Sequence, residues 1–177
     1  MSPRRKTIAD LDIAEHAAQL LLEAGPDAVT FSQVAERCRL APPTLVQRFG
    51  RKESLIEAGA VALRARVATV FMDATREHPP LRGLSVALQN LSATHAAILR
   101  LANMSNQAAY SIELRKQISF TLAMAVEASE LPRCDVAMLA RTLQIAFGGA
   151  VATALLECSD TQAEVAAAIK TQLADYI

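Results

Sequence analysis

Apolar residues recur at steps of three and four along most of this chain, which is the spacing of an α-helix with one buried side. In the first such segment the recurring residues are Ile13, Ala17, Leu20, Leu21 and Ala24. Gly25 and Pro26 follow it and predict the end of that helix. Repeated along the chain, the pattern predicts an all-α fold of about nine helices.

Residues 30–52 predict two short helices joined by a tight turn. Thr30 and Gln33 have the spacing of a capping box, so a helix begins there. Prolines 42–43 are tolerated only in the first turn of a helix, so the next helix begins near them and runs to about Phe49. These helices and the one before them have the order of a helix-turn-helix.

Six further helices are predicted after this stretch. A long one runs from Lys52 to about His78, and at about 1.5 Å per residue it spans nearly 40 Å. Two shorter helices lie between 81 and 103, with a break near 92–95. The last three helices are predicted at Asn106–Glu130, Asp135–Glu157 and Thr161–Tyr176.

Composition and charge narrow the class of protein. With 177 residues, 52% apolar, the chain can bury a substantial core, and the lack of Trp with few aromatic residues favours helix. The formal net charge is zero, so a nucleic-acid partner requires a local basic patch. Residues 30–56 contain five cations and two carboxylates, a net charge of +3. The patch coincides with the helix-turn-helix.

The cysteines and the apolar runs indicate a cytoplasmic protein. Cys38, Cys134 and Cys158 are odd in number, far apart and without CxxC spacing, which fits a reducing compartment. The N-terminal segment lacks the apolar stretch of a secretory signal. The longest apolar run, Ile145 to Leu156, is shorter than the roughly 20 residues that cross a bilayer. No membrane partner is predicted.

No pattern of catalytic or metal-binding residues is present. The three histidines form no i, i+4 pair, and there is no HExxH motif and no Cys/His cluster. There is also no GxSxG motif and no glycine-rich phosphate loop. We therefore predict no metal, no cofactor and no enzymatic activity.

The second short helix carries the best candidates for reading DNA bases. Pro43, Thr44, Gln47 and Arg48 fall on the side opposite Leu45 and are predicted to project outward. Glutamine reads adenine, arginine reads guanine or holds phosphate, and threonine and proline contact a thymine methyl. The alternative is an ordinary solvated helix face.

Further DNA contacts are predicted at the starts of two helices. Lys52 begins the long helix, where its charge adds to free backbone N–H groups and suits a phosphate. Thr30 and Ser32, at the start of the first short helix, complete the predicted DNA-binding set.

The first third of the chain resembles the TetR family of one-component transcriptional regulators. The matching residues are Glu23-Ala24-Gly25, Val29-Thr30, Val34-Ala35, Leu40-Ala41, Thr44-Leu45, Phe49 and Lys52-Glu53-Ser54-Leu55. The resemblance implies an all-helical dimer whose third helix enters the major groove. It places a DNA-binding domain at 1–53 and a ligand-binding and dimerisation domain at 54–177.

Three residues depart from the family pattern. Arg39 occupies the turn position usually held by Gly, so either a non-Gly residue is left-handed there or the turn has another shape. Val46 replaces the usual aromatic residue of the third helix, commonly Tyr, and removes one phosphate contact. Arg48 stands at the usual His position and could supply a stronger, charge-assisted contact.

Helix 135–157 is apolar on all sides, which predicts burial on all sides. Gly148 and Gly149 in its interior cost about 1 kcal/mol each relative to Ala, which the close approach of a neighbour would offset. With the last helix, it resembles the two-helix face through which TetR-type subunits dimerise, at about 135–176. The alternative is that it forms the deep core of one subunit.

The leading hypothesis is a homodimeric, ligand-responsive repressor that binds a near-palindromic operator. Polar residues in the apolar C-terminal part suggest His95, Tyr110 and Gln144 as contacts for an unknown small-molecule effector. The competing hypothesis is a helical small-molecule-binding or scaffold protein that has lost specific DNA binding, because Arg39 and Val46 depart from the pattern.

Overall fold

The computed structural model describes residues 8–101, 103–174 and 176, and it is all-α over these residues, as predicted. A short 3-10 helix, Pro26–Ala28, follows the first α-helix. The helices are α1 Asp10–Ala24, α2 Phe31–Cys38, α3 Pro42–Phe49, α4 Lys52–Glu77, α5 Pro80–Asn90, α6 Ser92–Leu99, α7 Met104–Glu127, α8 Val136–Glu157 and α9 Thr161–Leu173.

Helix order agrees with the predictions, and small differences in the ends have local causes. The break between α5 and α6 falls at Leu91, just before the predicted 92–95. Helix α7 begins two residues early because the side chain of Asn103 accepts a hydrogen bond from the Ser105 N–H and caps it. Asp160 caps α9 in the same way. These caps depend on near neighbours in the chain.

The chain divides into two compact units, one up to Leu63 and one from Arg64. The division falls inside α4, so this helix contributes to both units. The predicted domain boundary after residue 53 coincides with the start of α4 and stays a prediction.

Helices α1, α2 and α3 and the start of α4 form the first unit. Its interior contains Ile13, Leu21, Val34 and Leu45, all without solvent exposure. A Cβ atom on Gly59 of α4 would lie 3.0 Å from the backbone nitrogen of Ala18 in α1. Only glycine allows α4 to approach α1 this closely. The contact holds the start of α4, the helix that follows the basic segment, against α1.

Within one subunit helix α8 is buried on one side only, so the prediction of burial on all sides is wrong for the chain by itself. Leu143 and Phe147 are fully buried against the rest of the second unit. An apolar row on the other side remains open, and Leu156 in it is 85% exposed. We call this row the α8 stripe; its members are Met138, Ile145, Gly149, Ala152 and Leu156. The deep-core interpretation of α8 is therefore also wrong.

The two glycines of α8 have different surroundings. A Cβ atom on Gly148 would lie 3.3 Å from Nε2 of His95, so a side chain comes close to this glycine in place of the predicted neighbouring backbone. Nothing lies within 4 Å of the same position at Gly149. By length and composition alone α8 is also apolar enough to cross a membrane, a test that core helices of soluble proteins pass as well.

Candidate nucleic-acid interface

The turn between α2 and α3 has the left-handed residue that a helix-turn-helix requires. The Oγ1 atom of Thr30 accepts from the Gln33 N–H at 3.2 Å, which confirms the predicted N-cap of α2. Arg39 ends α2 with φ 54° and ψ 41°, in the left-handed region. The Leu40 N–H then donates to Ala35 O at 2.9 Å and closes the turn. Arg39 therefore adopts the conformation that glycine would supply.

Helix α3 presents a short exposed face beyond its buried Leu45. Pro43 and Gln47 are exposed as predicted, and Thr44 is half-buried beside them. Val46 is 44% exposed and belongs to the same face, although the sequence analysis did not include it among the contacts. Its position three residues after Pro43 could have indicated this, and an exposed methyl pair suits a thymine methyl.

Arg48 does not project outward as predicted. Its Nη1 donates to the Ile8 carbonyl at 2.8 Å, and its Nη2 forms an ion pair with Oδ1 of Asp10. The side chain is 24% exposed. Because Arg48 follows the buried Leu45 by three residues, it lies at the edge of the inner side and reaches the start of α1. Its predicted DNA contact stays a prediction.

Lys52 is the first residue of α4, as predicted. Its Nζ donates to the Asp27 carbonyl at 3.2 Å, which ties the start of α4 to the 3-10 helix. Ser32 is exposed, whereas Thr30 is half-buried and its hydroxyl already caps α2. The structure thus brings these candidates together in one unit but gives Arg48, Lys52 and Thr30 intramolecular roles.

Carboxylates of α1 lower the net positive charge of the basic patch that the sequence predicted. Glu23 pairs with Arg37, whose hydrogen bond holds the pKa of that carboxyl below its usual value. Asp10 forms an ion pair with Arg48. Arg39 and Arg51 remain exposed cations beside the α3 face. The count over residues 30–56 missed these carboxylates because they lie earlier in the chain.

A second cluster of candidates lies in the other unit, among α6, α7 and α8. The rings of His95 and Tyr110 have centroids 5.5 Å apart, and those of His95 and Phe147 are 4.8 Å apart. Tyr110 is 1% exposed. Burial lowers the pKa of His95 to about 4 and raises that of Tyr110. Both groups are therefore neutral at pH 7.

Gln144 has a different role from the other two effector candidates. Its Oε1 accepts from Nε of Arg115 at 2.7 Å, and its Nε2 donates to the carbonyl and hydroxyl oxygens of Ser111 at 2.8 and 2.6 Å. Both of its N–H donors are thus used within the chain. The amide joins α8 to α7, whereas the His95 and Tyr110 side chains lie together.

Two apolar grooves open on the surface of the second unit. One, of about 400 Å³, lies between α5 and α9, and the other, of about 350 Å³, lies between α4 and α7. Polar groups lining the latter groove are bonded within their own helices, as when the Thr75 hydroxyl donates to Phe71 O and the Thr121 hydroxyl to Gln117 O. These polar groups already have hydrogen-bond partners within the chain, so none of them requires a ligand.

The capped α2, the left-handed turn and the exposed α3 face define a helix-turn-helix DNA-binding protein. Residues 13–58 match the family described as "Bacterial regulatory proteins, tetR family". The match covers the helix-turn-helix and the start of α4, and it assigns this part of the chain to that family. No curated protein sequence matches the chain.

Several solved structures share the fold over nearly the whole chain. The structure on the control of antibiotic production by bacterial hormones is 21% identical, with a TM-score of 0.76 over 97% of this chain and 99% of that one. SmeT, the repressor of the Stenotrophomonas maltophilia multidrug efflux pump SmeDEF, is 18% identical, with a TM-score of 0.69 over 96% and 91%. A cysteine mutant of CifR bound to operator DNA is 16% identical, with a TM-score of 0.69 over 99% and 100%.

Proposed function

We propose that this protein is a TetR-family regulator, a cytoplasmic, homodimeric, effector-responsive repressor that binds a near-palindromic operator. The observation that carries the proposal is the exposed α3 face next to the left-handed turn at Arg39. SmeT is a repressor and CifR was solved on operator DNA, and both share this fold. We assign residues 1–53 to the DNA-binding head and 54–177 to effector binding and dimerisation.

In this proposal α3 lies in the major groove. Gln47 and Thr44 read base edges, and Pro43 and Val46 contact thymine methyl groups. Ser32 and Lys52 lie against the phosphate backbone with the exposed Arg39 and Arg51, and the Lys52 ammonium keeps donors beyond its bond to Asp27 O. Thr30 and Arg48 act mainly by holding α2 and α3 in place, since their polar atoms are bonded within the unit.

The partner for the α8 stripe is a second copy of the chain. Met138, Ile145 and Leu156 are 65%, 66% and 85% exposed and recur at helical spacing along one side. A continuous apolar row of this kind on a water-soluble chain marks an interface. In a two-fold dimer the same row meets its copy, and the two heads are set to reach half-sites about 34–36 Å apart.

The effector acts by favouring one arrangement of the dimer over another. It binds in the second unit near His95 and Tyr110, with Gln144 holding α7 and α8 together. Helix α4 is continuous from the first unit into the second, so it transmits a change in one to the other. The size of the response equals the difference in effector affinity between the two arrangements.

Selection from random duplex DNA with the purified chain tests the proposal. We expect enrichment of a near-palindrome whose half-sites are about one helical turn apart. Gln47→Ala should relax specificity at one base of each half-site, at a cost of about 1–3 kcal/mol. A chain that enriches no sequence would instead be the helical scaffold or small-molecule-binding protein.

Dimerisation is tested separately by placing a charge in the α8 stripe. Leu156→Glu should convert the dimer to a monomer in sedimentation experiments and abolish operator binding with it. Leu99→Glu is a suitable control, because Leu99 is also an exposed leucine but lies outside α8. A dimer that survives Leu156→Glu and a matching Ile145→Glu would reject the α8 interface.

A further inference from the structure

Tyr110 buries a hydroxyl group that has no hydrogen-bond partner in the described part of the chain. Leaving such a group unpaired costs about 1–3 kcal/mol, so proteins rarely do so. The Nδ1 atom of His95 is buried in the same condition. The two side chains have neighbouring rings, so their unpaired polar atoms leave hydrogen bonds that a ligand can supply.

Both atoms belong to one cluster with a defined geometry. His95 comes from α6, Tyr110 from α7 and Phe147 from α8, with ring centroids 5.5 and 4.8 Å from that of His95. Nε2 of His95 faces the backbone of α8, since a Cβ atom on Gly148 would lie 3.3 Å from it. The Nδ1 atom is the ring nitrogen that is buried without a partner in the described residues.

The cluster offers neutral partners only. Tyr110 and His95 both favour their uncharged forms because they are buried. Arg115, on the same helix as Tyr110, directs its Nε to Gln144. A buried ligand charge would thus meet no opposite charge among the cluster's own side chains, and burying an unpaired charge is costly.

We propose that His95, Tyr110 and Phe147 bind the hydroxyl group of an uncharged, mainly apolar effector. A hydroxyl group donates and accepts at once, so it pairs with the Tyr110 hydroxyl and the His95 Nδ1 in either tautomer of the imidazole. The Phe147 ring packs against the adjoining apolar part. This inference rests on the proposed effector-responsive function and names the chemical class that the site takes.

Three naphthalenes that differ in one substituent test the class. The probes are 1-naphthol, 1-naphthoate and unsubstituted naphthalene, and their fluorescence is readily followed because the chain has no Trp. At pH 7 we expect 1-naphthol to bind at least about tenfold more tightly than 1-naphthoate. Tyr110→Phe should weaken 1-naphthol binding by about tenfold and leave naphthalene binding within about twofold.

Tyr176→Phe is the matched control, because it removes the other tyrosine hydroxyl of the chain and should change neither affinity. Equal binding of 1-naphthol and 1-naphthoate would overturn the proposal, as would binding of none of the probes. An unchanged 1-naphthol affinity in Tyr110→Phe would do the same. The selection from random DNA uses no effector, so a chain that prefers 1-naphthol but enriches no operator would reject the repressor and keep this site.

Discussion

The two units of the chain differ in how their candidate functional side chains are bonded. In the first unit the cations predicted to bind DNA are bonded within the chain, Arg48 to the start of α1 and Lys52 to the Asp27 carbonyl. In the second unit the Nδ1 atom of His95 and the hydroxyl oxygen of Tyr110 are buried and have no partner in the described residues. The head thus bonds its candidate side chains internally, whereas the bundle leaves two buried polar atoms unpaired, at a cost in stability.

The largest expected effect is the loss of stability in acid caused by His95. Its pKa is about 4 in the folded chain, below the usual value of about 6.5 in an unfolded chain. As the pH falls, His95 therefore takes up its proton at a lower pH in the folded chain than in the unfolded chain. The stability that is fully present above pH 6.5 is lost as the pH falls towards 4. At about 1.4 kcal/mol per pH unit, the full loss is about 3 kcal/mol.

Urea unfolding at a series of pH values and one fixed protein concentration measures this loss. His95→Phe keeps a ring against Phe147 and Tyr110 and should flatten the decline between pH 6.5 and 4. His78→Phe, at a half-buried site at the end of α4, should leave the decline as it is. If His95→Phe declines as steeply as the wild type, the imidazole is not held neutral by burial.

Arg48 in the first unit should produce the next largest effect. Arg48→Ala removes a hydrogen bond to Ile8 O and the ion pair with Asp10, together with the packing of its stem. We expect the free energy of unfolding to fall by about 1–2 kcal/mol, most of it from the hydrogen bond, because Asp10 is largely exposed. Arg51→Ala, at an exposed site, should change it by less than about 0.5 kcal/mol.

The salt dependence of operator binding then separates the two roles of Arg48. Loss of a phosphate contact lowers the slope of log affinity against log salt concentration by about one. Loss of the contacts of Arg48 with Ile8 and Asp10 instead weakens binding without changing that slope. We expect the unchanged slope for Arg48→Ala and the lower slope for Arg51→Ala. The reverse result would show that Arg48 contacts a DNA phosphate, as the sequence predicted.

Features set by near neighbours were predictable, and features set by distant ones were not. The cap at Thr30 and the start of α4 at Lys52 follow from residues three or four positions away. The direction of Arg48 depends on Ile8, forty residues earlier. The apolar pattern of α8 left two alternatives open, because such a pattern is the same whether its own chain or a second copy covers it.

Tyr110→Phe should make the second unit more stable. The substitution removes a buried hydroxyl that has no partner in the described chain and leaves the ring in place. We expect a gain of about 1 kcal/mol in the free energy of unfolding without effector, measured in urea. Tyr176→Phe should be neutral, and a loss of stability in Tyr110→Phe would mean that the hydroxyl is satisfied in the protein.

The smallest effect should come from the left-handed residue at the end of α2. Arg39→Gly relieves a conformation that costs a non-Gly residue about 1 kcal/mol, but glycine also gains freedom in the unfolded chain, so we expect a net gain of about 0.5 kcal/mol. Cys158→Gly is the matched variant in the second unit, because Cys158 ends α8 with φ 53°. Equal gains in the free energy of unfolding at Arg39 and Cys158 would show that the strain of the left-handed backbone is local and unrelated to function. If Arg39→Gly, and not Cys158→Gly, also lowered the slope of log operator affinity against log salt concentration, Arg39 contacts the DNA backbone as a cation.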